Sequence, residues 1–359
     1  MRRLGVEEEL LLVDHVSGVP AAVAGTMLRF LRPEPEVTAE LQQQQIEVDT
    51  RPTETLAELS DQLRDGRRRA GDLAVRTGAR VAALATSPLP VTPETTPTSR
   101  YLAILDHFGL TTAEQLTCGC HVHVEVTSDD EGVGVLDRIR VWLPVLLALS
   151  ANSPFWQGAD SGYASFRSQA WNRFPSAGPT QRWGSAAAYH GEVDLMVSSG
   201  VLLDRHMAYF DARLSDRYPT VEIRVPDVCL SVADAVLVAA LVRALVETAA
   251  VEWAEGRSVA DVSAGLLRLA TWRAGRSGLA GDLLDPFTVH SRPAHAVVEQ
   301  LLEHVWPALE AAGDAGQVDR AWRNLRARGT GADFQRRVFA ESGDFGEVVR
   351  QSLTRTMDL

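Results

Sequence analysis

Three segments of the chain alternate between apolar and charged residues, which is the pattern of β-strands with one buried and one polar face. Their polar faces carry carboxylates, imidazoles and a guanidinium: Glu7 and Glu9 in residues 4–13, His121, His123 and Glu125 in residues 115–127, and Glu222 and Arg224 in residues 218–225. One such strand alone is usually an ordinary half-solvated strand. If the three faces meet, four carboxylates and two imidazoles converge, and such a cluster repels itself unless cations lie within it. The pattern therefore predicts a metal cage on one face of a sheet.

Carboxylate oxygens dominate this cluster, which favours Mg²⁺ or Mn²⁺ over zinc. Residues two apart on a strand lie about 6.7 Å apart at their Cα atoms, so one pair can serve two neighbouring metals. Glu40 and Glu47 are further candidate ligands in the polar stretch 40–49 before a helix, although a solvated edge explains Glu40 equally well. Glu8 falls on the opposite face of the first strand, so its replacement is expected to disturb the site far less than that of Glu7 or Glu9.

Composition excludes several other chemistries. None of the 359 residues is lysine, so all 35 basic residues are arginine, and neither a Schiff-base enzyme nor a lysine-containing phosphate loop can be built. The net charge of −12 argues against a nucleic-acid partner. Three cysteines are too few for a four-thiolate zinc site or a disulfide framework. No apolar signal core begins the chain, and charged residues interrupt its apolar helices, so we expect a cytoplasmic protein with no membrane span.

The remaining patterns predict an α+β fold in one domain, residues 1–359, with a helical C-terminal part at 255–359. Its antiparallel sheet would carry helices on one side. The expected helices cover residues 53–78, with Thr53 as the cap, 135–149 and 231–254. A fourth strand is expected at 80–85, and 152–179 is expected to be a long functional loop.

Several motifs in order resemble those of the glutamate–cysteine ligase type 2, or carboxylate-amine ligase, family. They are Gly5-Val-Glu-Glu-Glu9, Gly119-Cys-His-Val-His123, Asn152-Ser-Pro-Phe-Trp156, Tyr218-Pro-Thr-Val-Glu-Ile-Arg224, Trp272-Arg-Ala-Gly-Arg-Ser-Gly278 and Gly331-Ala-Asp-Phe-Gln-Arg336. The resemblance extends along nearly the whole chain. It implies the catalytic fold of glutamine synthetase and the guanido kinases, in which a curved antiparallel sheet forms the active-site cavity.

The resemblance also implies roles for individual residues. Implied metal ligands are Glu7, Glu9, Glu40, Glu47, His121 and Glu222. Arg224 and His123 would meet the ATP phosphates, and Arg224, His123 and Arg167 are the catalytic candidates. The segment Ser165-Phe-Arg-Ser-Gln-Ala-Trp171 resembles the family's substrate loop, so Arg167, Arg213 and Trp171 are implied to bind substrate. For the two arginines, a surface position or an ion pair with Asp211 or Asp216 remains an alternative. Glu125 and Ser277 depart from the family pattern, which leaves the amine acceptor open.

The implied activity is that of an ATP- and Mg²⁺- (or Mn²⁺-) dependent ligase. It would join the γ-carboxylate of glutamate to the amine of cysteine, of another amino acid or of a small amine, through an acyl phosphate. Two alternatives stay open: a metal-dependent amidohydrolase that uses the same cage, and a ligase-like protein that binds nucleotide with little turnover. The expected partners are small-molecule substrates, with no nucleic acid and no membrane, and a homodimer is left open.

Overall fold

The three alternating segments become adjacent strands of one antiparallel sheet in the computed structural model, which describes residues 1–30 and 37–357. The strands are β1 Leu4–Asp14, β2 Val37–Ala39, β3 Gln45–Asp49, β4 Ala79–Ala82, β5 Cys120–Glu125, β6 Phe155–Trp156, β7 Ala159–Asp160, β8 Ala212–Leu214, β9 Thr220–Ile223, β10 Asp282–Leu284 and β11 Ser291–Pro293. Six strands of the main sheet follow the order β2-β3-β1-β5-β9-β8, and β4 pairs with the end of β1. Strand β6 pairs with β7, and β10 with β11.

The strand register determines which charged side chains become neighbours. Directly paired residues on adjacent antiparallel strands point to the same face. The register pairs Glu7 with both Asp49 and His121, Glu9 with Glu47, His123 with Glu222, and Glu222 with Arg213. The polar faces therefore form one continuous surface across five strands.

Helices cover the opposite, apolar face of the sheet. The helices within the described residues are α1 Ala24–Leu28, α2 Leu56–Val75, α3 Ser99–Phe108, α4 Leu110–Ala113, α5 Asp129–Ile139, α6 Leu143–Ser150, α7 Arg167–Trp171, α8 Ala186–Ser198, α9 Val232–Ala254, α10 Ala264–Ser277, α11 Ala294–Ala312, α12 Ala315–Arg328, α13 Gly331–Ser342 and α14 Phe345–Thr356, with a 3₁₀ turn at Arg205–Met207. Leu59 and Leu63 of α2 are buried in one cluster with Val6, Val122 and other apolar residues of the sheet. Helix α9 is buried along most of its length because α2, α5, α11 and α12 surround it.

Two of the expected helices differ in detail from the structure. The helix expected at 135–149 is two helices, α5 and α6, and Pro144 lies in the first turn of α6. Proline suits that position because its missing N–H has no helical partner there. The helix expected from residue 53 begins later, and the side chain of Thr55, not Thr53, caps α2 by accepting from the Glu58 N–H. The helix expected at 231–254 is confirmed, with Ser231 as its cap.

The strand predictions also need corrections. Strand β5 is shorter than residues 115–127 and covers Cys120–Glu125; directly ahead of it, the Gly119 N–H donates to the Glu9 carboxylate. The strand expected at 80–85 covers Ala79–Ala82. The stretch 40–49, which was described only as polar and was not predicted to be a strand, contains β3. The expected loop 152–179 contains the β6–β7 hairpin and helix α7.

The C-terminal helices return to the sheet. Helix α14 contacts β4, and the Thr356 hydroxyl accepts a hydrogen bond from the Ala83 N–H at 2.9 Å. These contacts support our proposal that the chain forms one domain. Among the described residues, no helix combines the length and the apolar character needed to traverse a bilayer.

Candidate active site

The polar face of the sheet forms the floor of a cleft of about 230 Å³, which we call the central cleft. Every metal ligand expected from the sequence lines it, namely Glu7, Glu9, Glu40, Glu47, His121 and Glu222. His123, Trp171, Arg213 and Arg224 line it as well. The structure therefore brings together the residues that the three alternating strands predict, with the exception of Glu125, which pairs with Arg3 instead, and it adds β3.

Three groups of side chains in the cleft are each close enough to share one cation. The groups are Glu7, His123 and Glu222; Glu7, Glu47 and His121; and Glu9, Glu40 and Glu47. Within each group the candidate ligand atoms lie within 4.8 Å of one another. Glu7 and Glu47 each belong to two groups, so neighbouring cations could share a carboxylate, as in sites with two metals.

The two imidazoles are held differently. The Nδ1 atom of His123 lies 2.9 Å from the Thr220 hydroxyl, and its Nε2 atom lies 3.1 Å from Glu7. His121 is 3% exposed, and its Nε2 atom has no hydrogen-bond partner among the described residues. A buried imidazole nitrogen with a free lone pair beside carboxylates fits a metal ligand. This donor set, rich in oxygen, suits Mg²⁺ or Mn²⁺.

Burial, together with repulsion between neighbouring carboxylates, raises the pKa values of three acidic residues in the cleft. Burial raises the pKa of Glu40 to about 7, and the negative charge of Glu9 adds to the shift. Burial and the charges of Glu40 and Glu7 hold the pKa of Glu47 well above its usual range. Burial and Glu7 raise the pKa of Asp49 to about 6. Cations in the cluster would relieve this repulsion, so the electrostatics fit the ligand assignment.

Two arginines share the Glu222 carboxylate. Arg213 donates to both of its oxygens, at 2.7 and 3.2 Å, and Arg224 Nη1 donates to Oε1. Burial would raise the pKa of Glu222, but the charges of Arg224 and Arg213 hold it well below the usual range. Arg213 therefore pairs with Glu222, not with Asp211 or Asp216. Glu222 stays an anion, which a metal ligand requires.

Aromatic rings form one end of the central cleft. The Arg224 guanidinium lies 5.9 Å from the ring centroid of Trp171 and 6.0 Å from that of Tyr209. Tyr101 and Phe174 line the same end. The sequence predicted Trp171 here, whereas the other three rings come from segments without a periodic pattern.

Arg167 does not reach the central cleft. Its side chain is 4% exposed and donates to the main-chain carbonyls of Arg224 and Val225, each at 3.2 Å. This placement differs from the expectation that Arg167 binds a substrate carboxylate. The guanidinium is hydrogen-bonded to the protein main chain, and Arg224 lies between it and the cleft.

Sequence reasoning missed other residues of the cleft. Gln45 and Asp49 line it from β3, Arg100 from α3, and Arg217 from the β8–β9 turn. Only β3 offered a signal, because residues 45–49 alternate polar and apolar side chains. Neither departure from the family pattern lines the central cleft: Glu125 pairs with Arg3 at 2.7 Å and lines a neighbouring cavity, and Ser277 ends α10.

A second cavity, of about 310 Å³, adjoins the central cleft, and we call it the side pocket. Glu7, Asp49, His123 and Tyr218 line both cavities. The rest of the side pocket is mostly small and apolar, with Leu4, Gly5, Val6, Pro52 and Pro219 among its lining residues. The metal cluster thus lies between an aromatic end and an apolar side pocket.

We expect Mg²⁺ to raise the melting temperature of the protein, because cations that bind the folded cluster stabilise the native state. At a Mg²⁺ concentration a hundredfold above Kd, the free energy of unfolding rises by about 2.7 kcal/mol. At ~2.1 cal/mol/K of unfolding entropy per residue, this corresponds to roughly 3–4 °C for a chain of this length. Differential scanning calorimetry measures the shift, and Glu9→Gln should reduce it. An equal shift with NaCl at matched ionic strength would show that screening alone is responsible.

Comparisons with known proteins agree with this geometry. The model of the glutamate–cysteine ligase family 2 matches residues 3–355. A Streptomyces coelicolor protein, whose name assigns it provisionally as a glutamate–cysteine ligase 2, is 51% identical over 360 residues, and the match covers 99% of each chain. A glutamate–cysteine ligase from Francisella tularensis, solved in complex with AMP, has a TM-score of 0.71 at 12% identity, covering 100% of this chain and 89% of that chain. A bifunctional glutathione synthetase from Pasteurella multocida has a TM-score of 0.70 at 16% identity, covering 99% of this chain and 53% of that chain. These solved structures confirm the predicted fold class.

Proposed function

Because the chain belongs to the glutamate–cysteine ligase family 2, we propose that it is an ATP-dependent ligase that joins the γ-carboxylate of glutamate to an amine. The observation that carries this proposal is the cluster of three candidate cation groups on one sheet face, with Arg224 beside it. Phosphoryl transfer needs this combination of cations and guanidinium groups to neutralise charge on the transferred group. Cysteine is the default acceptor, and other amino acids or small amines are the alternatives to test.

The six expected ligands, together with His123 of the first group, would hold Mg²⁺ or Mn²⁺ in the cluster. Cations held by these residues would supply positive charge to neutralise the phosphate charge that develops during transfer. Glu7 and Glu47 belong to two groups each and would fix the spacing between cations. Arg213 and Arg224 keep Glu222 ionised, and Arg224 lines the cleft where it can meet a phosphate.

In this proposal, ATP and the other two substrates bind at different ends of the metal cluster, one set in each cavity. The side pocket is mostly apolar and suits the nucleoside of ATP, whose phosphates would then pass Glu7 and His123 towards the cluster. The aromatic end, with Trp171 and Tyr209, would hold glutamate and the amine. Arg213 remains a candidate for a glutamate carboxylate, and Arg100 and Arg217 join it because both line the central cleft.

The proposed reaction requires no nucleophile from the protein. A γ-carboxylate oxygen of glutamate attacks the γ-phosphorus of ATP, the bond to the β,γ-bridging oxygen breaks, and ADP leaves. The amine then attacks the acyl carbon of glutamyl phosphate, loses a proton, and displaces inorganic phosphate. The protein contributes positioning and charge stabilisation, which supply most of the rate enhancement in phosphoryl transfer.

The products of ATP test this proposal directly. With ATP, Mg²⁺, glutamate and a panel of amines, the protein should release ADP and phosphate only when glutamate is present. Hydroxylamine should capture the activated carboxylate as a glutamyl hydroxamate, detectable by mass spectrometry, without knowledge of the natural amine. AMP and pyrophosphate would contradict the acyl-phosphate step. Hydrolysis of γ-glutamyl amides without ATP would favour the amidohydrolase, and ATP binding without turnover would favour a nucleotide-binding protein.

A further inference from the structure

Arg167 begins helix α7, and its guanidinium lies behind the wall of the central cleft. It lines a cavity of about 20 Å³ together with Trp171, Asp211 and Arg224. A cavity of this size holds roughly one water molecule, so an amino-acid substrate does not fit there. The groups that Arg167 contacts belong instead to the protein backbone next to the metal cluster.

The first of these contacts fixes the backbone that carries Arg224. Strand β9 ends at Ile223, so Arg224 lies beyond its regular pairing. The Arg224 N–H donates to the Asp211 carbonyl at 3.0 Å, and the Arg224 carbonyl accepts from Arg167 Nη2 at 3.2 Å. A second bond, from Nη1 to the Val225 carbonyl at 3.2 Å, holds the next peptide. Arg167 thereby supplies the hydrogen bond to the Arg224 carbonyl, while the Arg224 N–H keeps its bond to Asp211.

The second contact of the guanidinium is with Gly119, the residue directly ahead of β5. A Cβ atom added at Gly119 would overlap Nη2 of Arg167, so the guanidinium packs directly on the glycine backbone. The Gly119 N–H donates to the Glu9 carboxylate, and the Gly119 carbonyl accepts from the Glu9 N–H at 3.0 Å. The same guanidinium therefore contacts both Gly119, which is hydrogen-bonded to Glu9, and the main-chain carbonyl of Arg224.

Buried polar groups hold Arg167 itself in place. The Arg167 N–H donates to the Ser153 hydroxyl at 3.0 Å. The Asp227 carboxylate, which balances the charge, lies 3.8 Å from Nη1 and is fixed by the Ser153 and Ser165 hydroxyls at 2.7 and 2.9 Å and by the Asn152 N–H at 2.9 Å. The segment that carries these serines is thus tied to the metal cluster through one side chain.

We propose that Arg167 is a positioning residue, which sets Arg224 and Glu9 relative to one another through the Arg224 carbonyl and the Gly119 backbone and does not contact substrate. The kinetic part of this inference rests on the proposed ligase function. The inference replaces the substrate-binding role that the family resemblance implied for Arg167.

Arg167→Lys tests the proposal, because a single ammonium cannot bond both carbonyls and pack on Gly119 at once. Misplacement by about 1 Å costs on the order of 100-fold in rate, so kcat should fall by about that factor. The KM values for glutamate and ATP should change by less than about threefold, because no substrate contact is lost. A selective rise of the glutamate KM with kcat unchanged would identify a substrate ligand and overturn the proposal.

Arg140→Lys is the matched control. Arg140 is 4% exposed and also donates to main-chain carbonyls, those of Thr180 and Val262, but it lies outside the cleft. The Arg140→Lys substitution should lower the melting temperature without lowering kcat in the protein that remains folded. An equal loss of kcat in Arg140→Lys and Arg167→Lys would show general loosening of the structure and overturn the positioning role.

A metal titration tests the same inference without any turnover. Because Arg167 packs on the glycine that holds Glu9, Arg167→Lys should weaken Mn²⁺ binding about tenfold by calorimetry, the lower range for loss of a residue that orients a ligand. Arg140→Lys should bind Mn²⁺ as the parent does. Unchanged Mn²⁺ affinity in Arg167→Lys would overturn the proposal. A parent protein that binds Mn²⁺ but shows no glutamate-dependent turnover would instead refute the proposed function.

Discussion

Glu9→Gln is expected to give a folded protein that has lost nearly all ATP turnover. Glu9 contributes to the group with Glu40 and Glu47, where a neutral amide is a poor substitute for an anionic ligand. Removing one preorganised electrostatic contact of this kind lowers kcat by roughly 10²–10³-fold. The fold should persist because the amide oxygen of glutamine can still accept the hydrogen bond from the Gly119 N–H.

Phosphate release measures the loss of ATP turnover, and the melting temperature of the same preparation shows whether the fold persists. Glu299→Gln is the matched control, since Glu299 pairs with Arg326 at 2.7 Å on the exposed surface between α11 and α12 and should change neither quantity. Parent-like turnover in folded Glu9→Gln protein would mean that the polar face of β1 is merely solvated. Unfolding of this variant would mean that Glu9 is needed for structure first.

The period-two pattern predicted the centre of the site because a strand converts sequence spacing directly into direction. Glu7, His121 and Glu222 share the central cleft since each lies on the polar side of its strand. Which strands pair, and in which register, is a tertiary property, so the sequence analysis could state the meeting of the three polar faces only as a condition. The same alternation occurs in Gln45-Ile-Glu-Val-Asp49, but this segment is so polar that it was not predicted to be a strand.

Residues outside the sheet could not be placed by the same reasoning. Arg100 reaches the cleft from α3, a helix that was not predicted, and Tyr209 reaches it from a loop, where no period links spacing to the direction of a side chain. Arg167 shows the limit most clearly. Its segment resembles a substrate loop, but the guanidinium turns to carbonyls 57 and 58 residues away along the chain. A backbone acceptor of this kind carries no residue-type signal in the sequence.

Glu8 shows that alternation predicts the face of a side chain and not its importance. The sequence placed it correctly on the side away from Glu7 and Glu9. That side is the core: Glu8 is 1% exposed, and both of its oxygens accept from Arg67, at 2.6 and 2.8 Å. Arg67 is 0% exposed and also donates to the Leu230 and Cys229 carbonyls. We therefore keep the expectation of a mild effect at Glu8 for the chemistry of the cleft, but we expect a large effect on stability.

Glu8→Gln is accordingly expected to destabilise the fold strongly while leaving the cleft chemistry of the folded fraction close to that of the parent. Glutamine leaves the Arg67 charge buried without a counter-ion, which costs about 3–5 kcal/mol. At ~2.1 cal/mol/K of unfolding entropy per residue, the melting temperature should fall by roughly 4–7 °C. Calorimetry measures the loss, and Glu299→Gln again provides a matched exposed pair that should change little.

A second substitution distinguishes an unpaired buried charge from a simple loss of packing. In Glu8→Gln/Arg67→Met the uncompensated guanidinium is gone, and replacing a whole buried ion pair by apolar groups is often nearly neutral. The double variant should therefore be more stable than Glu8→Gln alone, despite the lost bonds to the Leu230 and Cys229 carbonyls. If the losses of stability caused by Glu8→Gln and by Arg67→Met simply added in the double variant, the ion-pair explanation would be contradicted. Residues that act as a pair give a coupling energy in such a double-mutant cycle. With Glu8→Gln affecting melting and Glu9→Gln affecting turnover, adjacent residues of β1 would separate the core face of the sheet from its catalytic face by measurement.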